Sequence, residues 1–122
     1  MVVSMKTSVV VDASYVLSLL LPDENTLQDI NVKMIAPPLL VQEVVNGLRS
    51  AVVSGRIDLD LALALIREFE GWPISYQKIH NEIILRVAVE MGLSGYDANY
   101  LALSKEMRLP LLTFDKQLKR LA

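Results

Sequence analysis

Thr7-Ser8-Val9-Val10-Val11-Asp12-Ala13-Ser14 is the stretch on which the fold turns. Three consecutive valines behind Thr7 and Ser8, with no polar alternation, spell a strand buried on both faces, as at the centre of a parallel sheet. Asp12 stands where that strand stops and a helix begins. A carboxylate at the carboxyl end of a central strand points into the crevice where open α/β sheets bind ligands. The other acidic residues of interest read as companions of Asp12.

Composition narrows the chemistry around that carboxylate. The 122 residues, 52% hydrophobic with a mean hydropathy of +0.38, suit one domain over residues 1–122 with a sizeable core. The absence of cysteine excludes disulfide scaffolds, thiolate nucleophiles and Cys-based metal sites. A single histidine, His80, excludes any site that needs two. The net charge of −2 and pI near 5.3 provide no global attraction to nucleic acid, so such a partner must be reached locally. The apolar run Val9 to Leu21 is broken by Asp12 and ends at Pro22-Asp23 without a small-residue cleavage site. It is too short to span a bilayer, so a cytoplasmic chain without membrane attachment is expected.

Outward from the first strand, Ser14 is placed to cap a helix made apolar nearly all round by Val16, Leu17, Leu19, Leu20 and Leu21. Pro22 closes it, and Asp23-Glu24-Asn25 opens a short polar helix to about Asn31. Lys33 to Ala36 reads as a second strand, stopped by Pro37-Pro38. Leu39 to Val53 carries apolar residues at 41, 44, 45, 48 and 52, a 3.6-residue stripe, with Pro38 before it and Gly55 as its C-terminal stop. Asp58 to Glu70 is a second helix ending at Gly71, and the short link Ser54-Gly55-Arg56 makes the two antiparallel. Pro73 to Tyr76 reads as a strand, Lys78 to Met91 as a helix ended by Gly92, and Ser94-Gly95-Tyr96-Asp97 opens a helix to Met107. Leu111 to Thr113 is a last strand, and Asp115 to Leu121 a last helix. Alternating strands and helices point to an α/β fold with a parallel sheet.

Asp12, Asp97 and Asp115 share a local setting. Asp12 and Asp115 follow strands, and Asp97 opens a helix. Each has a structural explanation: Asp12 and Asp115 as helix N-caps worth about 1 kcal/mol, and Ser94-x-x-Asp97 as a capping box. Glu43 points away from the stripe of Val41, Val44, Val45 and Leu48, on the side of Asn46 and Ser50. It faces either solvent or, if that helix lies between core and cleft, the carboxyl ends of the strands. Taken together, four carboxylates, three of them at the ends of elements that a parallel sheet gathers on one edge, repel unless a cation sits between them. Oxygen-only ligands select hard divalent ions, Mg²⁺ or Mn²⁺. Such a centre suits phosphate esters, with one ion or two.

Four motifs then resemble a known family. Val10-Val11-Asp12-Ala13-Ser14, the helix Leu39-Leu40-Val41-Gln42-Glu43-Val44-Val45-Asn46, the run Gly92-Leu93-Ser94-Gly95-Tyr96-Asp97-Ala98-Asn99-Tyr100-Leu101-Ala102-Leu103, and Leu111-Leu112-Thr113-Phe114-Asp115 before Leu118 follow in order. From Val9 to Leu121 the chain is similar to PIN domains of the short VapC type, toxins of prokaryotic toxin–antitoxin pairs. The resemblance implies a three-layer α/β/α sandwich around a parallel sheet of four or five strands, since family members usually continue into a final edge strand. It also implies a ribonuclease using Mg²⁺ or Mn²⁺, with Asp12, Glu43, Asp97 and Asp115 as catalytic metal ligands. Ser14, Asn46 and Thr113 would be their polar neighbours. RNA as substrate, a small antitoxin as partner and a homodimer complete the expectation. The competing reading is a non-catalytic PIN-like module for dimerisation or antitoxin binding. A phosphoacceptor receiver domain fits less well, because Ile74-Ser75-Tyr76 ends without the required aspartate.

Substrate contacts have several candidates. Lys105, Arg108, Lys116, Lys119 and Arg120 cluster late in the chain and offer either a phosphate track or a solvated face. Arg49 and Arg56 are similar. Tyr15, Tyr96 and Tyr100 offer either stacking surfaces or core packing.

Overall fold

In the computed structural model, which describes residues 7–22 and 32–122, the opening valines form the strand at the heart of the sheet. Strand β1 (Thr7–Val11) leads into helix α1 (Ala13–Leu20), then β2 (Val32–Ala36), α2 (Leu39–Val53) and α3 (Leu59–Glu70). Strand β3 (Ser75–Tyr76), α4 (Asn81–Met91), α5 (Gly95–Met107), β4 (Leu111–Leu112) and α6 (Lys116–Leu121) complete the order. The described strands make one parallel sheet in the order β3-β2-β1-β4. Val10 and Val11 are wholly buried, as a strand covered on both faces requires.

Right-handed crossovers then dictate the layers. The chain moves from β1 through β2 to β3 in one direction, with α1, α2 and α3 packed on one another along the way. It returns across the sheet to β4 through α4 and α5, and α5 packs on β1, β4 and α6. The result is a three-layer α/β/α sandwich. Its strand order reverses between β1 and β4, and that reversal opens a crevice at their carboxyl ends.

Helix α5 lies deepest. Tyr100, Leu101, Ala102, Leu103 and Ser104 are consecutive and all buried, so the middle of the helix has no solvent stripe to read. Helices α1 and α2 cross closely at Gly47, where a Cβ would meet Leu17 Cδ1 at 2.3 Å. Helix α4 ends at Gly92, whose φ of +65° is the left-handed stop expected of glycine.

Several boundaries differ from the sequence reading. Asp12, rather than Ser14, caps α1, because its carboxylate reaches the amide of Tyr15 while Ser14 already lies in the first turn. The third strand shrinks to Ser75–Tyr76. Pro73 has no amide to donate, Ile74 N closes back on the Trp72 carbonyl, and only Ser75 and Tyr76 pair with Ile35 and Ala36. Helix α4 starts at Asn81 rather than Lys78, since Gln77 still donates its amide to the β2 end at Ala36. Thr113 lies just past β4. The polar helix expected over 23–31 lies outside the described residues. Among those residues no helix is long and apolar enough to cross a membrane.

Candidate metal-binding active site

The register of the sheet builds the site. Val11 pairs with Leu112, so the residues that follow, Asp12 and Thr113, leave the sheet side by side. The amide of Asp12 donates to the Leu112 carbonyl at 3.3 Å, and the Thr113 hydroxyl donates to Asp12 Oδ2. Asp12 Oδ1 accepts from the Tyr15 amide at 3.0 Å and the Ser14 hydroxyl at 2.7 Å. Ser14 Oγ in turn accepts from the Phe114 amide at 2.9 Å. Three donors therefore hold a carboxylate that is only 4% exposed. Anionic acceptors gain most from such bonds and are costly to bury without them.

Asp115 follows by two residues. Its amide donates to Thr113 Oγ1 at 3.0 Å, and its Oδ1 caps α6 by accepting from the Leu118 amide at 2.9 Å. Capping uses one oxygen of this carboxylate and leaves the other for a ligand. Asp97 sits in the first turn of α5, where Ser94 is the cap: its Oγ accepts from the Asp97 amide at 3.0 Å. Among the described residues nothing donates a hydrogen bond to the Asp97 carboxylate. Glu43 faces the site from α2, half-buried, and Oε1 accepts from the hydroxyl of Tyr100.

Electrostatics tie the four together. Burial lifts Glu43 above its usual carboxylate range, and the charges of Asp97 and Asp12 lift it further, against the lowering effect of the Tyr100 bond. Burial also lifts Asp97, helped by Asp115 and Asp12. Among the described residues, the charges that shift these two groups are all carboxylates. The structure thus brings Asp12, Glu43, Asp97 and Asp115 into one negative neighbourhood, with Ser14 and Thr113 inside its hydrogen-bond network. Asn46 is exposed and takes no part in that network among the described residues.

Two residues have roles that the sequence reading did not assign, although it offered core packing for Tyr100. Tyr100 is buried, 1% exposed, and is the group that orients Glu43. Burial and the bond to Glu43 push its phenol far above the usual range, so it remains a donor. The i+3 spacing from Asp97 to Tyr100 was a signal, since it sets both on adjoining turns of α5. Phe114 is the other. It is 48% exposed beside Asp115, while Tyr15, an earlier stacking candidate, is buried behind it.

Replacing Tyr100 with Phe should raise the Glu43 pKa further and lower stability by about 1 kcal/mol. An NMR titration of the glutamate side-chain carboxyls measures the first effect. An unmoved Glu43 would remove Tyr100 from the site.

Comparison with known proteins agrees with this architecture. The PIN domain sequence profile matches residues 9–122. No curated protein matches the sequence. Among solved structures, PAE2754 from Pyrobaculum aerophilum is similar with a TM-score of 0.71 and 26% identity, covering 95% of this chain and 80% of that one. Mycobacterium tuberculosis VapC20 (Rv2549c), a sarcin-ricin loop cleaving toxin, has a TM-score of 0.66 and 12% identity, with 92% and 93% covered. At that identity the second likeness is one of fold alone. With four acidic positions in order along a parallel sheet and the profile spanning nearly its whole length, the chain belongs to the PIN domain family.

Proposed function

We propose that this chain is a metal-dependent endoribonuclease, the toxin of a toxin–antitoxin pair, with Asp12, Glu43, Asp97 and Asp115 as its metal-binding catalytic residues. PIN domains are generally nucleases. The observation that carries the reading is that Glu43 and Asp97, at the reversal of strand order, are opposed by the charges of one another or of Asp12 and Asp115, with no lysine or arginine among the described residues offsetting them. Mutual repulsion of this kind is a cost that a bound cation removes. The chemistry of the donor set suits Mg²⁺ or Mn²⁺: all oxygen, with Asp97 unengaged and Asp115 and Glu43 each keeping one oxygen free of hydrogen bonds among the described residues. When bound, such an ion supplies Lewis acidity at the phosphoryl oxygen and an activated water. The protein's part is positioning. Ser14, Thr113 and the Tyr15 amide fix Asp12, Tyr100 fixes Glu43, and the sheet register sets Asp115 beside them.

A protein partner is supported elsewhere on the surface. Val45, Val52, Leu59, Leu63 and Ile66 line an apolar groove of about 310 Å³ between α2 and α3, with Arg49 at its side. A small antitoxin segment with an acidic residue opposite Arg49 fits that lining. A homodimer, RNA as substrate and a cytoplasmic location belong to the same reading.

One observation favours the alternative of a non-catalytic PIN-like module. Among the described residues, no three acidic side chains stand close enough to hold a metal together. Purified, antitoxin-free protein tested on several RNA classes with Mg²⁺ or Mn²⁺ against EDTA, beside a calorimetric Mn²⁺ titration, decides between the two. Cleavage that needs the metal supports the nuclease; neither binding nor cleavage leaves the module.

A further inference from the structure

Phe114 is half in solvent, directly before Asp115 in the chain. Its backbone is pinned, because its amide donates to Ser14 Oγ, which itself bonds Asp12. Its ring runs nearly parallel to Tyr15, 13° between planes, with centroids 6.1 Å apart. At that separation two near-parallel rings are offset, so Tyr15 supports Phe114 while leaving much of its face uncovered. Lys119 Nζ lies 5.4 Å from the ring centroid, an exposed cation–π contact of the weak, replaceable kind.

The same ring forms one wall of a cleft of about 440 Å³ that begins at Ser14, one hydrogen bond from Asp12. Leu17 and Leu21 supply apolar walls, the Ser18 hydroxyl an acceptor, and Arg56 a cation. Gly47 keeps the α2 wall free of a side chain. Flat aromatic and apolar surface, hydroxyl oxygens and a guanidinium in one cleft match a nucleobase, whose face stacks and whose edge hydrogen-bonds.

We propose that this cleft is a nucleobase subsite for single-stranded RNA, with Phe114 stacking on a base next to the phosphate that reaches the acidic centre. The proposal rests on the ribonuclease reading and adds to it the residue that positions the strand. Phe114 sits immediately before Asp115, so stacking there fixes the register of the strand against the acidic centre.

The test pairs a protein change with a substrate change. Short RNAs carrying an abasic nucleotide at each position in turn are cut by wild type, Phe114→Ala and Phe114→Trp. Phe114→Ala should lower kcat/KM by about 5- to 100-fold, the scale of one base–aromatic stack, and Phe114→Trp should restore it. At one position next to the cut, the abasic nucleotide should slow wild type by the same factor and Phe114→Ala no further. Independent, multiplying effects at every position would overturn the proposal. A second arm needs no cleavage: RNAs with 2-aminopurine at each position are bound with Ca²⁺ in place of Mg²⁺, and their fluorescence is followed. Quenching that depends on Phe114, in a protein that cuts nothing, would sink the ribonuclease reading and keep the subsite. Cleavage with no dependence on Phe114 in either arm would do the reverse.

Discussion

Asp97→Asn should abolish metal-dependent RNA cleavage and at the same time raise the melting temperature of the EDTA-treated protein. The first half follows from position. Asp97 is the acid with no hydrogen-bond donor among the described residues, so its carboxylate is the most available for a ligand. Even partners that merely orient metal ligands are worth about 10–100-fold, so loss of a ligand itself should cost at least about 100-fold. The second half follows from repulsion. Burial, Asp115 and Asp12 all oppose the charge on Asp97, and the amide keeps the shape without that charge. Because the group is partly solvated, the gain should be about 0.5–1 kcal/mol, a few degrees in Tm.

The pH dependence has a definite sign. Asp97 and Glu43 are raised above their ordinary values of 3.8 and 4.5, so the folded protein holds their protons more tightly than the unfolded chain. Stability contributed by these groups therefore falls as pH rises from the unfolded values through the folded ones. The cost is fully present above that window and absent below it. The advantage of Asp97→Asn should be largest near neutral pH and vanish as pH falls below about 3.8. A variant that is inactive and less stable at every pH would make Asp97 a structural residue. One that still cuts RNA would remove it from the site.

Thr113→Val should be the most damaging change of nearly constant shape. Thr113 is 4% exposed, and its hydroxyl serves two elements at once, donating to the buried Asp12 carboxylate and accepting from the Asp115 amide. Hydrogen bonds to charged groups contribute about 1.5–3 kcal/mol, and a buried acceptor left short of donors carries its desolvation cost uncompensated. A loss of about 2–3 kcal/mol in denaturant unfolding is expected, with cleavage slowed by about 10–100-fold because Asp12 loses its orientation. Thr113→Ser keeps the hydroxyl and gives up one methyl, about 1 kcal/mol, so it should cut RNA nearly as well as the parent. If Val proved as stable and as active as Ser, the Asp12–Thr113 bond would have no bearing on either property.

What was legible in the sequence was local. Val9, Val10 and Val11 announced a strand buried on both faces because nothing polar interrupts them. Asp12 and Asp115 announced helix starts because a short acidic side chain after a strand reaches the next turn's amides, and both do cap. Gly92 announced a helix end because only a residue without Cβ takes a left-handed turn at no cost. The motif order carried the family, and with it the expectation of an acidic centre.

What tertiary structure decided was everything that depends on distance across the chain. Periodicity placed Glu43 off the apolar stripe of α2 but left it facing either solvent or the cleft; Tyr100, from a different helix, holds it toward the other acids. Asp12 and Thr113 are neighbours because β1 and β4 pair in one register, which neither strand encodes alone. Aromatic roles were hidden for the same reason. The middle of α5 is buried on every side, so no stripe marks Tyr100 as interior, and no local rule marks Phe114 as an aromatic left half in solvent. Hydrophobic pattern and capping are interactions within a few residues, whereas a site assembled from the ends of separate strands and helices exists only once the sheet has chosen its strand order.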